Sequence, residues 1–217
     1  MTHKASTQPF GRGGRHVWLA AALAALQLSA CAPLVVGGAM VGGTMVAIDR
    51  RTTGTQLEDQ SIESKASNRV RELMGDRAHV NVTSYNRAVL LTGEAPTEAD
   101  KAAIEQAVQR VENVRSTVNE LAVMLPSSMS TRSNDSFLTT KVKATYVDAK
   151  DLQANAFKVV TERSNVYLMG RVTEREATRA TDLARTVSGV QKVVRVFEIV
   201  TEAELAEVQP KTDTTKK

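Results

Sequence analysis

Residues 89–114, VLLTGEAPTEADKAAIEQAVQRVENV, and residues 166–190, VYLMGRVTEREATRATDLARTVSGV, are two copies of one pattern. Val89, Leu91 and Gly93 match Val166, Leu168 and Gly170 at an offset of 77, and the segments that follow match at 76 after one extra residue in the first copy. An internal repeat of this size means that one folding unit is used twice. In each copy a short strand with alternating apolar residues runs into a glycine, and then a Thr opens an amphipathic run. Thr97-x-x-Asp100 and Thr173-x-x-Glu176 have the spacing of a capping box, with Asp replacing the usual Glu in the first. Ile104, Ala107, Val108 and Val111 form the core stripe of one helix, and Ala180, Leu183, Ala184 and Val187 that of the other.

Working outward, each copy is preceded by another helix-like segment, about residues 61–74 and 136–149. Apolar positions fall at Ile62, Ala66, Val70 and Leu73 in the first and at Leu138, Val142 and Tyr146 in the second. Short strands follow at 80–83 and 88–92, and at 157–161 and 166–169; a last strand closes each unit at about 114–123 and 190–200. The expected fold is α+β: two tandem α-β-β-α-β units, each with its helices on a small three-stranded mixed sheet. A unit of about 70 residues buries too little surface to be more than marginally stable, so the two are expected to dock. The expected segments are 1–30 leader, 31–58 linker, 59–125 first unit, 126–134 Ser-rich joint opened by Pro126, 135–201 second unit and 202–217 polar tail.

The leader has Lys4, Arg12 and Arg15 with no acid, followed by an apolar run over 17–30, the layout of a secretory signal peptide. The chain's single cysteine, Cys31, comes directly after Leu28-Ser29-Ala30, which resembles a bacterial lipobox. Cys31 is the expected lipidation site: a diacylglycerol is attached to its thiol, the signal is cut just before it, and palmitate is an expected acyl group. A signal anchor is the alternative, because residues 17–48 are nearly all apolar. Pro33 and Gly37, Gly38, Gly42 and Gly43 weaken a continuous helix there. Residues 35–47, VVGGAMVGGTMVA, read equally as a small-residue packing face or a greasy leash. The polar stretch 49–60 reads as a tether that extends about 40 Å at most.

Three of the four net positive charges lie in the leader, so no nucleic-acid footprint remains in the body. With one cysteine there is no disulfide framework and no cysteine zinc site. His79 is the only histidine outside the leader; with no partner at a set spacing it reads as a surface residue, and neither a metal nor a cofactor is expected. A nucleophile paired with a base, a histidine pair and a phosphate loop are all missing from the pattern, so the reading is not an enzyme.

The V-x-L-x-G triplets, the capped helices and the Gly189-Val190 turn, with Asn113 in the glycine's place in the first copy, resemble BON domains. A lipobox followed by two of them resembles the DolP family of lipoproteins. The resemblance implies a lipid-anchored protein on the periplasmic face of the outer membrane, supporting envelope integrity and found at division sites. It further implies binding to an anionic phospholipid membrane through the first helix of the second domain. Ala32 after the cysteine agrees with outer-membrane sorting in that family.

The chain's own copies support such a face. Ile62 and Leu138 are equivalent, so the residue before each is Ser61 in one copy and Phe137 in the other. One helix cannot bury both Phe137 and Leu138 on the same stripe. Phe137 is therefore expected to be partly exposed, in the first turn after an Asp135 cap, where free N–H groups suit phosphate. Thr140, Lys141, Lys143 and Ala144 complete the expected lipid contact, with Met129 adding to the wedge. Phe137 covering the seam between the units is the other reading. One inserted Phe at about 2 kcal/mol and each lysine at about 1 kcal/mol give about millimolar affinity, which a tether makes useful. Gly93 and Gly170 are structural glycines, with positive φ or no room for a Cβ. The competing function is an adaptor for an envelope or division protein or for peptidoglycan. The oligomeric state is open.

Overall fold

The computed structural model describes residues 49–208. Cys31, the leader, the glycine-spaced segment and the end of the tail lie outside them. The first unit consists of α1 (Thr53–Met74), β1 (His79–Tyr85), β2 (Ala88–Ala95), α2 (Glu98–Gln109), β3 (Ser116–Asn119) and β4 (Ala122–Val123). The second consists of α3 (Met129–Asp148), β5 (Lys158–Glu162), β6 (Asn165–Val172), α4 (Glu174–Thr186) and β7 (Lys192–Ile199), and α5 (Glu202–Val208) follows it. In both, a central strand pairs antiparallel with the strand before it and parallel with the one that returns after the helix. A helical crossover is what a parallel return requires. The second sheet has the expected three strands, whereas in the first the last strand breaks into β3 and β4, both parallel to β2. Leu121 turns into the core at the break, and its N–H is held by the Asn119 side chain.

Both central helices carry Thr caps. Thr173 and Glu176 form a complete capping box. Thr97 accepts from the Asp100 N–H, but its hydroxyl donates to the Asp100 carboxylate and the return bond to its own N–H is missing; Asp is one methylene shorter than the usual Glu. Asn113 takes the left-handed turn with φ 68°, and Gly189 the equivalent turn with φ 103°.

The first helix of each unit starts about two turns earlier than the sequence suggests. Thr52 caps α1 and Ser128 caps α3. Asp135 is therefore no cap, and most of the Ser-rich joint is helical. Asp59 and Asp135, 76 positions apart, are buried and do the same job. Asp59 accepts from the N–H groups of Asn86 and Arg87, and Asp135 from those of Arg163 and Ser164, all at 2.8 Å. Those four residues form the two hairpin turns, with φ between 49° and 65°, as a type I′ turn demands. A carboxylate thus ties each first helix to its hairpin. Along α1 the buried positions are Ile62, Ala66, Val70 and Met74; Leu73, expected on that stripe, is 44% exposed.

The tether reading of residues 49–60 is also corrected. Arg50 is buried and donates through both terminal nitrogens to Glu176, at 2.7 and 2.8 Å, and to Gln153 and the Arg171 carbonyl. Arg51 pairs with Asp49 and Asp59 and stacks 4.3 Å over the Tyr85 ring. Two successive arginines therefore fasten the incoming chain, one to each unit.

The units dock sheet against sheet. Along β2, Val89 and Leu91 enter the first core while Leu90 faces the other way; along β6, Val166 and Leu168 enter the second core while Tyr167 and Met169 face the first unit. Side chains on a strand alternate between faces, and here both faces are covered, which explains the unbroken apolar runs VLL and VYLM. Tyr85, Leu90, Tyr167 and Met169 make a third cluster between the sheets. Around it, Asn81 donates to Glu162 at 2.8 Å, Lys158 to Glu63 at 2.6 Å and Asn86 to Glu198 at 2.6 Å.

Candidate functional site: the exposed face of α3

With its inner residues Asp135, Leu138, Val142 and Tyr146 in the fold, α3 turns an opposite face outward. Its twenty residues make a rod about 30 Å long. Met129 is 73% exposed, Phe137 61% and Val147 72%, and Ala144 is exposed between Phe137 and Val147. Positions 129, 137, 144 and 147 share one helical face, with Ser133 and Thr140 between them. Phe137 is exposed and is no member of the seam cluster, so the seam reading does not hold. Nor is it in the first turn, because the helix begins eight residues before it, at Met129, and the free N–H groups of the helix start are about two turns away. Thr140 is exposed but spends its hydroxyl proton on the Ser136 carbonyl at 3.0 Å.

The two lysines flank the apolar stripe, one on each side. Lys141 Nζ lies 5.3 Å from the Phe137 ring centroid and donates to the Ser188 carbonyl at 3.1 Å, so it is held close to the aromatic edge of the stripe. Lys143 borders a shallow cleft with Val147, Ala154, Asn155, Phe157 and Asp49. Asp49 is the first described residue, so the chain arriving from Cys31 enters the folded body beside α3.

Val147 was missed from sequence. Its signal is the spacing 137, 144, 147 on one helical face, together with the repeat. At an offset of 76, Met129, Phe137, Ala144 and Val147 correspond to Thr53, Ser61, Asn68 and Arg71 of α1. At these four positions α1 is polar where α3 is apolar, and the one large apolar side chain exposed on that face of α1 is Leu57.

The structural glycines are accounted for. A Cβ on Gly93, at φ 114°, would be driven into the His79 carbonyl. Gly170 has no positive φ, but a Cβ there would collide with the Ala156 carbonyl. His79 is not the surface residue expected: its side chain is 19% exposed and its Nδ1 is 3.1 Å from the buried Glu94 carboxylate.

Residues 58–124 and 134–201 match the BON domain family. The outer membrane lipoprotein DolP of Haemophilus influenzae is 40% identical over 177 residues, covering 80% of this chain and 91% of that protein. The chain belongs to the BON-domain family, alongside DolP. The 21 kDa hemolysin of Actinobacillus pleuropneumoniae is 31% identical over 155 residues, 70% of this chain and 80% of that one. Among solved structures, CdsD of the type III secretion system of Chlamydia trachomatis aligns at a TM-score of 0.28 and 11% identity, over 65% of this chain and 96% of that one. A score that low carries no argument. The two BON domains are the two sheet-and-helix units, and no helix of the described residues is long and apolar enough to cross a membrane.

Proposed function

We propose that the protein is an outer-membrane lipoprotein anchored through acylated Cys31, with its BON domains on the periplasmic face. In this reading α3 binds anionic phospholipid, and the protein supports outer-membrane integrity at division sites. The observation that carries the lipid reading is the apolar stripe Met129, Phe137, Ala144 and Val147 flanked by Lys141 and Lys143, against Thr53, Ser61, Asn68 and Arg71 at the corresponding positions of α1. The likeness to DolP supports the location. Insertion of Phe137, Met129 and Val147 at about 1.5–2 kcal/mol each, plus about 1 kcal/mol per lysine, gives a middle value of about 7 kcal/mol. That is on the order of 10 μM, tighter than one Phe allows. The buried Arg50 fixes where the chain from Cys31 joins the folded body, beside Lys143 of α3.

The test is co-sedimentation of the chain from Met45 onward, which retains Arg50, with anionic and with zwitterionic vesicles. Phe137→Ser is expected to weaken anionic binding about thirtyfold and Val147→Ser about tenfold, with circular dichroism unchanged, while Leu73→Ser on α1 binds as wild type. Equal binding by all forms, or none, would reject the lipid face and leave the adaptor reading.

A further inference from the structure

The fold collects three ligating side chains at one edge of the domain seam. His79 opens β1 and is the cross-strand partner of Glu94 near the end of β2. Glu162, the last residue of β5, reaches them from the other BON domain. His79 Nδ1 lies 3.1 Å from Glu94 Oε2 and 4.0 Å from Glu162 Oε1, and one ligand atom from each of the three falls within 4.8 Å of the others. Ligands of a tetrahedral zinc ion, at bond lengths near 2.1 Å, stand about 3.4 Å apart, so shifts of under an ångström to about one ångström suffice to close the cluster.

Charge gives the physical reason to look for a cation. The side chains of Glu94 and Glu162 are 0% and 3% exposed, and two buried carboxylates this close repel each other unless positive charge intervenes. Arg163 offers only a loose contact, its Nε 3.6 Å from Glu94 Oε1. Glu94 Oε1 is buried without a hydrogen-bond partner, and so is Arg163 Nε. Among the described residues, Glu162 has no cationic neighbour within 4.0 Å apart from His79. One oxygen of each carboxylate is also held from outside the cluster. The Ser127 N–H donates to Glu94 Oε2 at 3.0 Å, and Asn81 Nδ2 donates to Glu162 Oε2 at 2.8 Å. Groups that orient ligands from a second layer are what a metal centre uses. A cleft of about 340 Å³, lined by His79, Asn81 and Glu162 together with Asp135 and Thr139, gives a water or an ion a way in.

We propose that His79, Glu94 and Glu162 form a site for one divalent first-row transition cation, zinc fitting best, that staples the two BON domains together. One imidazole with two carboxylates suits zinc, and the imidazole argues against magnesium and calcium, which prefer all-oxygen shells. A water from the cleft completes four-coordination. Because two ligands come from the first domain and one from the second, the ion fixes their docking, not the fold of either.

The probe is zinc chloride titrated into the full-length chain in detergent micelles after chelator treatment, followed by calorimetry and by thermal melting. One equivalent is expected to bind, and a hundredfold excess over Kd to raise the melting temperature by about 5–10 °C. His79→Gln and Glu162→Gln, each checked by circular dichroism, are expected to weaken uptake at least tenfold. A variant lacking the leader histidines His3 and His16 is expected to bind as wild type. Zinc is further expected to slow hydrogen exchange in β1 and β5 of the wild type. The absence of a saturable single equivalent in the wild type overturns the proposal. So does uptake by His79→Gln or Glu162→Gln that equals the wild type, or loss of uptake with His3 and His16.

Discussion

At the residue scale, Asp59 and Asp135 show how one side chain holds a supersecondary unit. Each replaces water at two backbone N–H groups of a turn whose φ values are unfavourable for side chains other than Asn and Gly. Asp59 does more, since Ser84 Oγ at 2.6 Å and Arg51 at 2.8 Å also donate to it. Although burial pushes its carboxyl up, the donors from Ser84, Arg87, Arg51 and Asn86 prevail and hold Asp59 below the ordinary aspartate range. Truncation strands buried donors at about 1–3 kcal/mol each where water cannot reach them. Asp135→Ala is expected to cost about 2 kcal/mol and Asp59→Ala about 4 kcal/mol by urea denaturation. Equal costs would mean that the Arg51 and Ser84 contacts contribute nothing. The pairing was not legible in sequence: Asp59 and its turn are 27 and 28 residues apart, and an Asp before Phe137-Leu138 looks like any helix cap.

At the scale of elements, α1 and α3 are the same helix adapted for two outcomes. Their inner stripes were legible because a 3.6-residue period is a local property, and so was the exposure of Phe137, which follows from its neighbour Leu138. Their starting points were not, because a helix extends as far as tertiary contacts reward it, here to Thr52 and Ser128. The same holds for Arg50. The stretch DRRTTGTQ is polar and reads as a tether, yet Arg50 finds Glu176 at a separation of 126 residues. Arg50→Ala leaves a carboxylate buried without its partner and is expected to destabilise by about 3–5 kcal/mol. The double variant Arg50→Met/Glu176→Met is expected to recover most of that in denaturant titrations. If the double variant is no better than the single one, the contacts to Gln153 and the Arg171 carbonyl, together with the Glu176 bond from the Thr173 N–H that the double variant also loses, outweigh the ion pair.

For the whole molecule, stability depends on carboxylates that stay charged inside the fold. Burial pushes Glu176 up, but the Arg50 guanidinium and Thr173 outweigh it and hold the carboxyl below its ordinary value; Asp59 is lowered in the same sense. A carboxyl whose folded pKa is depressed contributes stability that is present above its unfolded pKa, about 3.9 for Asp and 4.3 for Glu, and lost as pH falls through the folded value. The melting temperature is thus expected to drop on acidification below about pH 4. Asp59→Asn is expected to start lower and to fall less over that range in a calorimetric pH series. A drop that is as steep in the variant would assign the acid limb to other groups.

The sequence by itself determined the repeat, the α-β-β-α-β order, the core stripes, the glycines that leave no room for a Cβ and the apolar residue that one helix face must expose. These follow from periods of two and 3.6 and from capping chemistry, which act over a few residues. Only the tertiary structure decided where α1 and α3 begin, how the two sheets share Tyr85, Leu90, Tyr167 and Met169, that Arg50 is buried against the second unit, and that His79, Glu94 and Glu162 meet at the seam. Those outcomes depend on charges and faces that meet across roughly 70 to 130 residues of chain, and a folded body must bring them together before any local pattern can show them.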